Sequence, residues 1–118
     1  MYTVNITNDG EYGFKVDSDE YEFTINTKAK KGISPPSAFL ASLGSCIGVY
    51  IRKYADGAKI ELKEFNVNVE AELKKEPRYH FQNINVTIER KQALSSFIKN
   101  CPVHNTLESS PQTNIRIV

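Results

Sequence analysis

Residues 34–57 read SPPSAFLASLGSCIGVYIRKYADG, and this stretch predicts one long helix around which the rest of the chain is organised. Ser34 is a suitable N-cap, and the prolines that follow it fit the first turn, because a missing N–H costs nothing there. Large apolar side chains recur at spacings of three and four: Phe39, Leu40, Leu43, Ile47, Tyr50, Ile51 and Tyr54. Since apolar and small residues surround most of the helix, we expect it to be covered on more than one face.

Short alternating runs of apolar and polar residues precede this helix. Turn sequences at residues 8–10 and 17–19 divide the N-terminal part of the chain into runs that alternate with a period of two. These runs are residues 2–7, 12–16 and 21–25. They predict an antiparallel meander of three strands, followed by a polar connection over residues 27–32.

The chain after the helix predicts a second hairpin and a broken helix. Residues 62–73 and 81–89 alternate on either side of a turn at residues 74–77. Further elements are predicted as a helix over 92–100, a break at Cys101-Pro102, a helical turn over 103–108 and a final strand over 114–118. This order predicts a single domain over residues 1–118 of the α+β class, with antiparallel strands wrapped around the central helix.

Charge and composition argue against several classes of function. The 118 residues carry a net charge of +1, without the basic excess that nucleic-acid binding requires. The apolar run over residues 38–51 is shorter than a membrane span, and the N-terminus lacks the pattern of a signal peptide. We therefore expect a cytoplasmic protein with neither nucleic acid nor membrane as a partner. In that compartment two cysteines are more often free, catalytic or redox-active than joined in a structural disulfide.

The local sequence leaves the roles of the cysteines open. Cys46 lies among apolar and small residues, which disfavour a thiolate, so a packing role is the simpler interpretation. Cys101 precedes Pro102 and could cap a helical turn, whose N–H groups favour a negatively charged sulfur. A metal site formed by the cysteines with His80 and His104 is a weaker hypothesis, because metal-binding cysteines usually come in close pairs. We expect neither a metal nor a cofactor.

The segments SPPSAFLASLGSCIG and CPVHNTL together resemble the signature of the OsmC/Ohr family of thiol-dependent peroxide reductases. This resemblance covers essentially the whole chain and implies an intertwined homodimer. It implies that Cys46 attacks a peroxide and becomes a sulfenic acid, which Cys101 resolves as a disulfide. An external dithiol would then reduce that disulfide. Candidates for lining the peroxide site are Ser37, Tyr50 and His104.

The sequence departs from the family pattern at a pair of charged residues. Efficient organic hydroperoxide reductases of this family have a Glu in the first turn of the helix, where this chain has Ser37, and an Arg in the N-terminal strands. No arginine precedes Arg52, so a cation for Cys46 would come from Lys15, Arg78 or His104. Two functions follow: reduction of organic hydroperoxides or hydrogen peroxide, or a redox-sensing or small-ligand-binding module with little peroxidase turnover.

Overall fold

The computed structural model describes residues 1–28, 31–89, 101–109, 113–114 and 116–117. Their elements are β1 (Asn5–Asn8), β2 (Gly13–Asp17), β3 (Glu22–Asn26), α1 (Pro35–Gly57), β4 (Asn66–Lys74), β5 (His80–Glu89) and α2 (Pro102–Ser109). One three-stranded and one two-stranded sheet, both antiparallel, confirm the predicted α+β class.

The described residues cover only part of the elements predicted near the C-terminus. The helix predicted over residues 92–100 lies outside the described residues. The strand predicted over 114–118 is not formed by residues 114, 116 and 117, the part of it that the structure describes. Such a short segment becomes a strand only when a neighbouring strand pairs with it, which the period of two in the sequence does not guarantee.

Residues 1–40 form a first compact unit that contains the predicted meander. Strand β2 pairs with β1 and with β3, in registers that place Ile6, Val16 and Phe23 side by side. The first turn contains Gly10 at a φ of 92°, a left-handed conformation that glycine adopts without strain. The Asp9 carboxylate accepts N–H bonds from Glu11 and Gly13, which fixes the rest of that turn.

The first turn of α1 confirms Ser34 as the N-cap. The Ser34 carbonyl accepts the N–H of Ala38 at 2.8 Å, and the Ser34 hydroxyl oxygen accepts the N–H of Ser37 at 3.4 Å. The two serine hydroxyls lie 3.0 Å apart. The side chain of Ser37 is therefore part of the helix cap.

Residues 41–118 form the second compact unit, in which the rest of α1 packs on the β4–β5 hairpin. The buried positions of α1 are Leu43, Gly44, Ile47, Ile51 and Ala55. Gly44 allows close approach, since a Cβ atom there would stand 2.9 Å from Cγ2 of Val69. The helix axis and β4 are thereby held near each other at the level of Gly44.

Strand β4 starts later and is buried over a shorter length than the alternation predicts. It begins at Asn66 instead of residue 62. The carbonyl groups of Leu62 and Lys63 accept hydrogen bonds from the Arg52 guanidinium, so they are not available for pairing with another strand. Val67, Val69 and Ala71 are half-buried as predicted, but Leu73 is 53% exposed. The register shift between Glu70 and Glu72 precedes this change.

The buried positions of α1 form one stripe, and other apolar side chains of the helix are exposed. Val49 is 50% exposed, and Tyr54 is exposed as well. The second covering that the sequence led us to expect stays a prediction. Among the residues that the structure describes, none of the helices combines the length and apolarity that a bilayer span requires.

Candidate functional site

The fold brings Cys46 and Cys101 together across 55 positions of sequence. Their sulfur atoms lie 3.0 Å apart, and the Cys101 thiol donates a hydrogen bond to the Cys46 sulfur. Both cysteines are free. Cys46 is half-buried in the middle of α1, whereas Cys101 is 0% exposed. The predicted juxtaposition of the two thiols is therefore confirmed.

Cys101 is the N-cap of α2. Its carbonyl accepts the N–H of Asn105 at 2.9 Å, which is the first hydrogen bond of the helix. Pro102 occupies the first helical position, where its fixed φ is favourable. The Cys101 sulfur in turn accepts the backbone N–H groups of Val103 and His104. The sequence Cys-Pro-Val-His thus places a thiol where Ser or Asp usually caps a helix.

Burial raises the pKa of the Cys101 thiol. The hydrogen bond to Cys46 and the charge of that neighbouring sulfur raise it further, while the N–H groups of His104 and Val103 lower it. The net direction is upward, so Cys101 holds its proton at neutral pH. Local sequence shows only the helix N-terminus, which favours a negatively charged sulfur at Cys101. The core around this thiol acts in the opposite direction.

The core around Cys101 comes from α1. Leu43, Ile47 and Ile51 form one buried cluster with Cys101. Half-buried side chains pack against this cluster from α1, from the β4–β5 hairpin and its approach, and from α2: Cys46, Tyr50, Leu62, Phe65, Val67, Val69, Ile84, Val86, Ile88 and Val103. Cys46 thus borders an apolar cluster, and its sulfur lies nearer to solvent than that of Cys101.

His104 lies on the first turn of α2, and its two ring nitrogens differ. Nε2 is 3.4 Å from Oε1 of Glu108, and the His104 side chain is 35% exposed. Nδ1 is buried and has no hydrogen-bond partner among the described residues. The ring therefore has an outer nitrogen beside a carboxylate and an inner nitrogen that is unpaired.

The other candidates occupy different settings. Tyr50 packs against the apolar cluster, with the Lys53 ammonium 5.2 Å from its ring centre. Ser37 is exposed within the helix cap, and Lys15 pairs with Asp17 at 3.8 Å in the first unit. Neither of the latter two is brought to the cysteines by any contact described here.

Arg52 and Arg78, two arginines of the second unit that the structure describes, have different settings. Arg52 is held by two carbonyl groups and lies 5.4 Å from the centre of the Phe65 ring. Arg78 is in the turn beyond the pair Lys74 and His80. That turn begins six residues along β4 from Val69, which corresponds to about 20 Å. Arg78 as a cation for Cys46 stays a prediction.

The described residues show no cluster of metal ligands at the site. Across residues 1–28, 31–89 and the described C-terminal part, no three His, Cys, Asp or Glu side chains converge as metal ligands. Two shallow depressions of about 290 and 300 Å³ lie on the first unit, and neither is lined by a cysteine.

Comparison with known proteins gives the family. The model of the OsmC-like protein family matches residues 27–116. A hydroperoxide reductase of Mycoplasma genitalium is 29% identical over 115 aligned residues, which cover 85% of this chain and 82% of the relative. The crystal structure of an OsmC-like protein from Mycoplasma pneumoniae is similar with a TM-score of 0.76 at 23% identity, covering 92% of this chain and 87% of that one. A hypothetical protein from Aquifex aeolicus VF5 is similar with a TM-score of 0.77 at 20% identity, with 93% and 89% covered. The chain therefore belongs to the OsmC-like family.

Proposed function

We propose that this chain reduces organic hydroperoxides or hydrogen peroxide through a redox cycle of Cys46 and Cys101. The observation that carries the proposal is the contact of 3.0 Å between the two sulfur atoms. A peroxide-reducing thiol needs a second thiol within reach, because the sulfenic acid must be captured before it oxidises further. The Mycoplasma relatives named hydroperoxide reductase support the same activity.

The cycle has three balanced steps. The Cys46 thiolate attacks the terminal oxygen of ROOH, the O–O bond breaks, and the alkoxide takes up a proton to leave as ROH. The resulting Cys46 sulfenic acid reacts with the Cys101 thiol, which forms the S–S bond and releases water. An external dithiol then exchanges with this disulfide, becomes oxidised itself, and returns both cysteines to the thiol form.

The different exposure of the two cysteines supports different roles for them. Cys46 is the more accessible thiol, and its sulfur accepts the hydrogen bond from Cys101, which is the position that a thiolate occupies. Cys101 is fully buried and retains its proton, so a peroxide molecule reaches Cys46 first. Cys101 is therefore the resolving cysteine and Cys46 is the one that peroxide oxidises.

We also propose that the chain works as a homodimer. The exposed apolar side chains Val49 and Tyr54 on α1 need a cover that the described part of one chain does not supply. Sedimentation at micromolar concentration should give a dimer. A monodisperse monomer would contradict this part of the proposal.

A redox-sensing or small-ligand-binding module with little turnover is the second candidate. Ser37 stands where the efficient relatives have a Glu, and Arg52, the first arginine in the chain, is held by backbone carbonyl groups. A site without a fixed counter-charge would react with peroxide slowly. The two candidates differ in turnover: a reductase consumes many equivalents of peroxide with a dithiol present, whereas a sensor is oxidised once.

The test is steady-state consumption of an organic hydroperoxide with dithiothreitol, in wild type and in Cys46→Ser and Cys101→Ser. Wild type should turn over. Cys46→Ser should lose at least a hundredfold in rate, because the attacking sulfur is gone. In a separate reaction without dithiothreitol, Cys101→Ser should consume one equivalent and form a sulfenic acid that dimedone traps.

Two results would contradict the reductase. If wild type is oxidised stoichiometrically without turnover although dithiol is present, the sensing module is the better description. If Cys46→Ser retains wild-type turnover, Cys46 is not the residue that peroxide oxidises.

A further inference from the structure

We infer that His104 accepts the proton of Cys101 when this thiol attacks the oxidised Cys46. The inference rests on the two-cysteine cycle proposed above and adds a residue to its second step. Three features carry it: the place of His104 on α2, the state of its two ring nitrogens, and the burial of the thiol that must lose a proton.

His104 is the third helical residue after the cap that Cys101 forms. Its backbone N–H already binds the Cys101 sulfur. Side chains on a helix lean toward the N-terminus, and a residue at this third position reaches back to the N-cap in a capping box. The imidazole is thus placed on the same turn as the resolving thiol.

The two nitrogens of the His104 ring have different neighbours. With Nε2 3.4 Å from the Glu108 carboxylate, the tautomer with its proton on Nε2 is the favoured neutral form of the ring. Nδ1 is then an acceptor, and it is the buried nitrogen without a partner among the described residues. A buried acceptor left unpaired costs free energy, which a functional role would explain.

Cys101 needs an acceptor for its proton. Its sulfur is 0% exposed, so the proton does not pass directly to bulk water. Burial and the Cys46 sulfur raise its pKa, which keeps the thiol protonated in the reduced protein. In the reduced protein this thiol donates to Cys46 and Nδ1 makes no hydrogen bond with it, so the ring and the sulfur must approach each other during the attack. A base that then takes the proton removes this obstacle.

The step balances without another reactant. The proton of the Cys101 thiol moves to Nδ1 of His104, the Cys101 sulfur bonds to the Cys46 sulfur, and the S–O bond of the sulfenic acid breaks. The departing hydroxide takes the proton back from His104 as water leaves. The imidazole is neutral before and after the step, and Glu108 stabilises the imidazolium in between.

The test separates disulfide formation from the first oxidation. His104→Gln keeps a hydrogen-bonding side chain that suits the third position of a helix but removes the base. Rapid mixing with one equivalent of hydroperoxide measures the oxidation of Cys46 and the formation of the disulfide as separate steps. Disulfide formation at pH 7 should slow at least tenfold. Thr106→Ala, which removes a hydroxyl bonded to the Pro102 carbonyl on the same helix, should form the disulfide at the wild-type rate.

The pH profile distinguishes a proton acceptor from a structural residue. The ionisable groups next to His104 in the described residues are Glu108, 3.4 Å from Nε2, and Cys101, whose sulfur binds the His104 backbone N–H and lies 3.0 Å from the Cys46 sulfur. In wild type, disulfide formation should already be fast at neutral pH, because the base takes the proton that the thiol holds. In His104→Gln the rate should rise only as the Cys101 thiol ionises, above the usual thiol range because burial raises its pKa, and should approach the wild-type rate there.

The outcomes separate this inference from the cycle. A His104→Gln rate equal to wild type at every pH overturns the role of His104 and leaves the cycle intact. Slowing by the same factor at every pH also overturns it, since that is the mark of a structural effect. If wild type itself forms no disulfide, the proposed function fails and the inference fails with it.

Discussion

The two cysteines of this chain have different surroundings although their sulfur atoms touch. Cys46 lies mid-helix, where local sequence predicts a buried and inert thiol, yet it is the more exposed of the two. Cys101 lies at a helix N-terminus, which by local sequence makes a thiolate easier to form, yet it is fully buried and holds its proton. The difference shows that packing from distant residues decides thiol chemistry here, against the preference of the adjoining sequence.

The reason is the direction from which each sulfur is covered. Leu43, Ile47 and Ile51 project from one stripe of α1, and Cys101 completes their cluster. Cys46 borders that cluster at its edge. For Cys101, desolvation by this cluster exceeds the stabilisation that two backbone N–H groups give to a thiolate. Three predictions test this difference between the two cysteines.

The largest expected effect is selective alkylation. Iodoacetamide added to the reduced native protein should modify Cys46 at least a hundredfold faster than Cys101, as measured by mass spectrometry of peptides. Cys101 reacts only after local opening, and a hundredfold ratio corresponds to an opening free energy of about 2.7 kcal/mol. In denaturing urea the two rates should become similar.

Equal alkylation rates of the two cysteines in the native protein would contradict this difference, because they would mean that Cys101 is as accessible as Cys46. Cys101→Ser serves as a control. If Cys46 is alkylated in this variant at a rate near that of wild type, the selectivity comes from exposure and not from competition between the thiols.

Much of the fold could be predicted from the sequence because its signals are local. The Ser34 cap, the turn at Gly10 and the alternation of Val67 and Val69 each depend on neighbouring residues, and all three are observed. The start of β4 could not be predicted, since it depends on Arg52 reaching the carbonyl groups of Leu62 and Lys63.

The candidate site also has features that the sequence predicts and features that it does not. The motifs around Cys46 and Cys101 identified both cysteines, but no local pattern gives the burial of Cys101. His104 was noted only as a possible pocket residue or cation. The signal that would have pointed to more is its position three residues after a capping cysteine, where a side chain reaches the cap. The unpaired Nδ1 became visible only with the packing around it.

The second prediction changes the setting of Cys46 without touching either sulfur. Gly44→Ala places a Cβ 2.9 Å from Cγ2 of Val69, which forces α1 and β4 apart and should destabilise the reduced protein by about 1–2 kcal/mol. Gly48→Ala meets only ordinary contacts of 3.7 and 3.9 Å with Phe65. It should stabilise by about 0.5–1 kcal/mol, because alanine favours the helix.

Urea unfolding midpoints of the two variants measure this contrast. If Gly44→Ala is as stable as Gly48→Ala, the close approach of α1 to β4 does not limit the packing. Disulfide formation after peroxide should also slow in Gly44→Ala and not in Gly48→Ala, since only the former displaces the helix that holds Cys46.

The smallest expected effect is the dependence of stability on pH that the Cys101 thiol creates. Its pKa is raised in the folded protein, so above the ordinary thiol pKa of about 8.5 the unfolded chain loses the proton while the folded chain keeps it. The folded state then binds more protons than the unfolded state, and stability falls as pH rises. The contribution is fully present below about pH 8.5 and is lost toward the folded pKa, with a slope of at most about 1.4 kcal/mol per pH unit. Urea unfolding of the reduced protein between pH 7.5 and 10 should show this decline beyond that of Cys101→Ser, whose hydroxyl does not ionise in this range. A wild-type slope equal to that of the variant would mean that the folded core does not hold the Cys101 proton, and the contrast between the two cysteines would reduce to exposure alone.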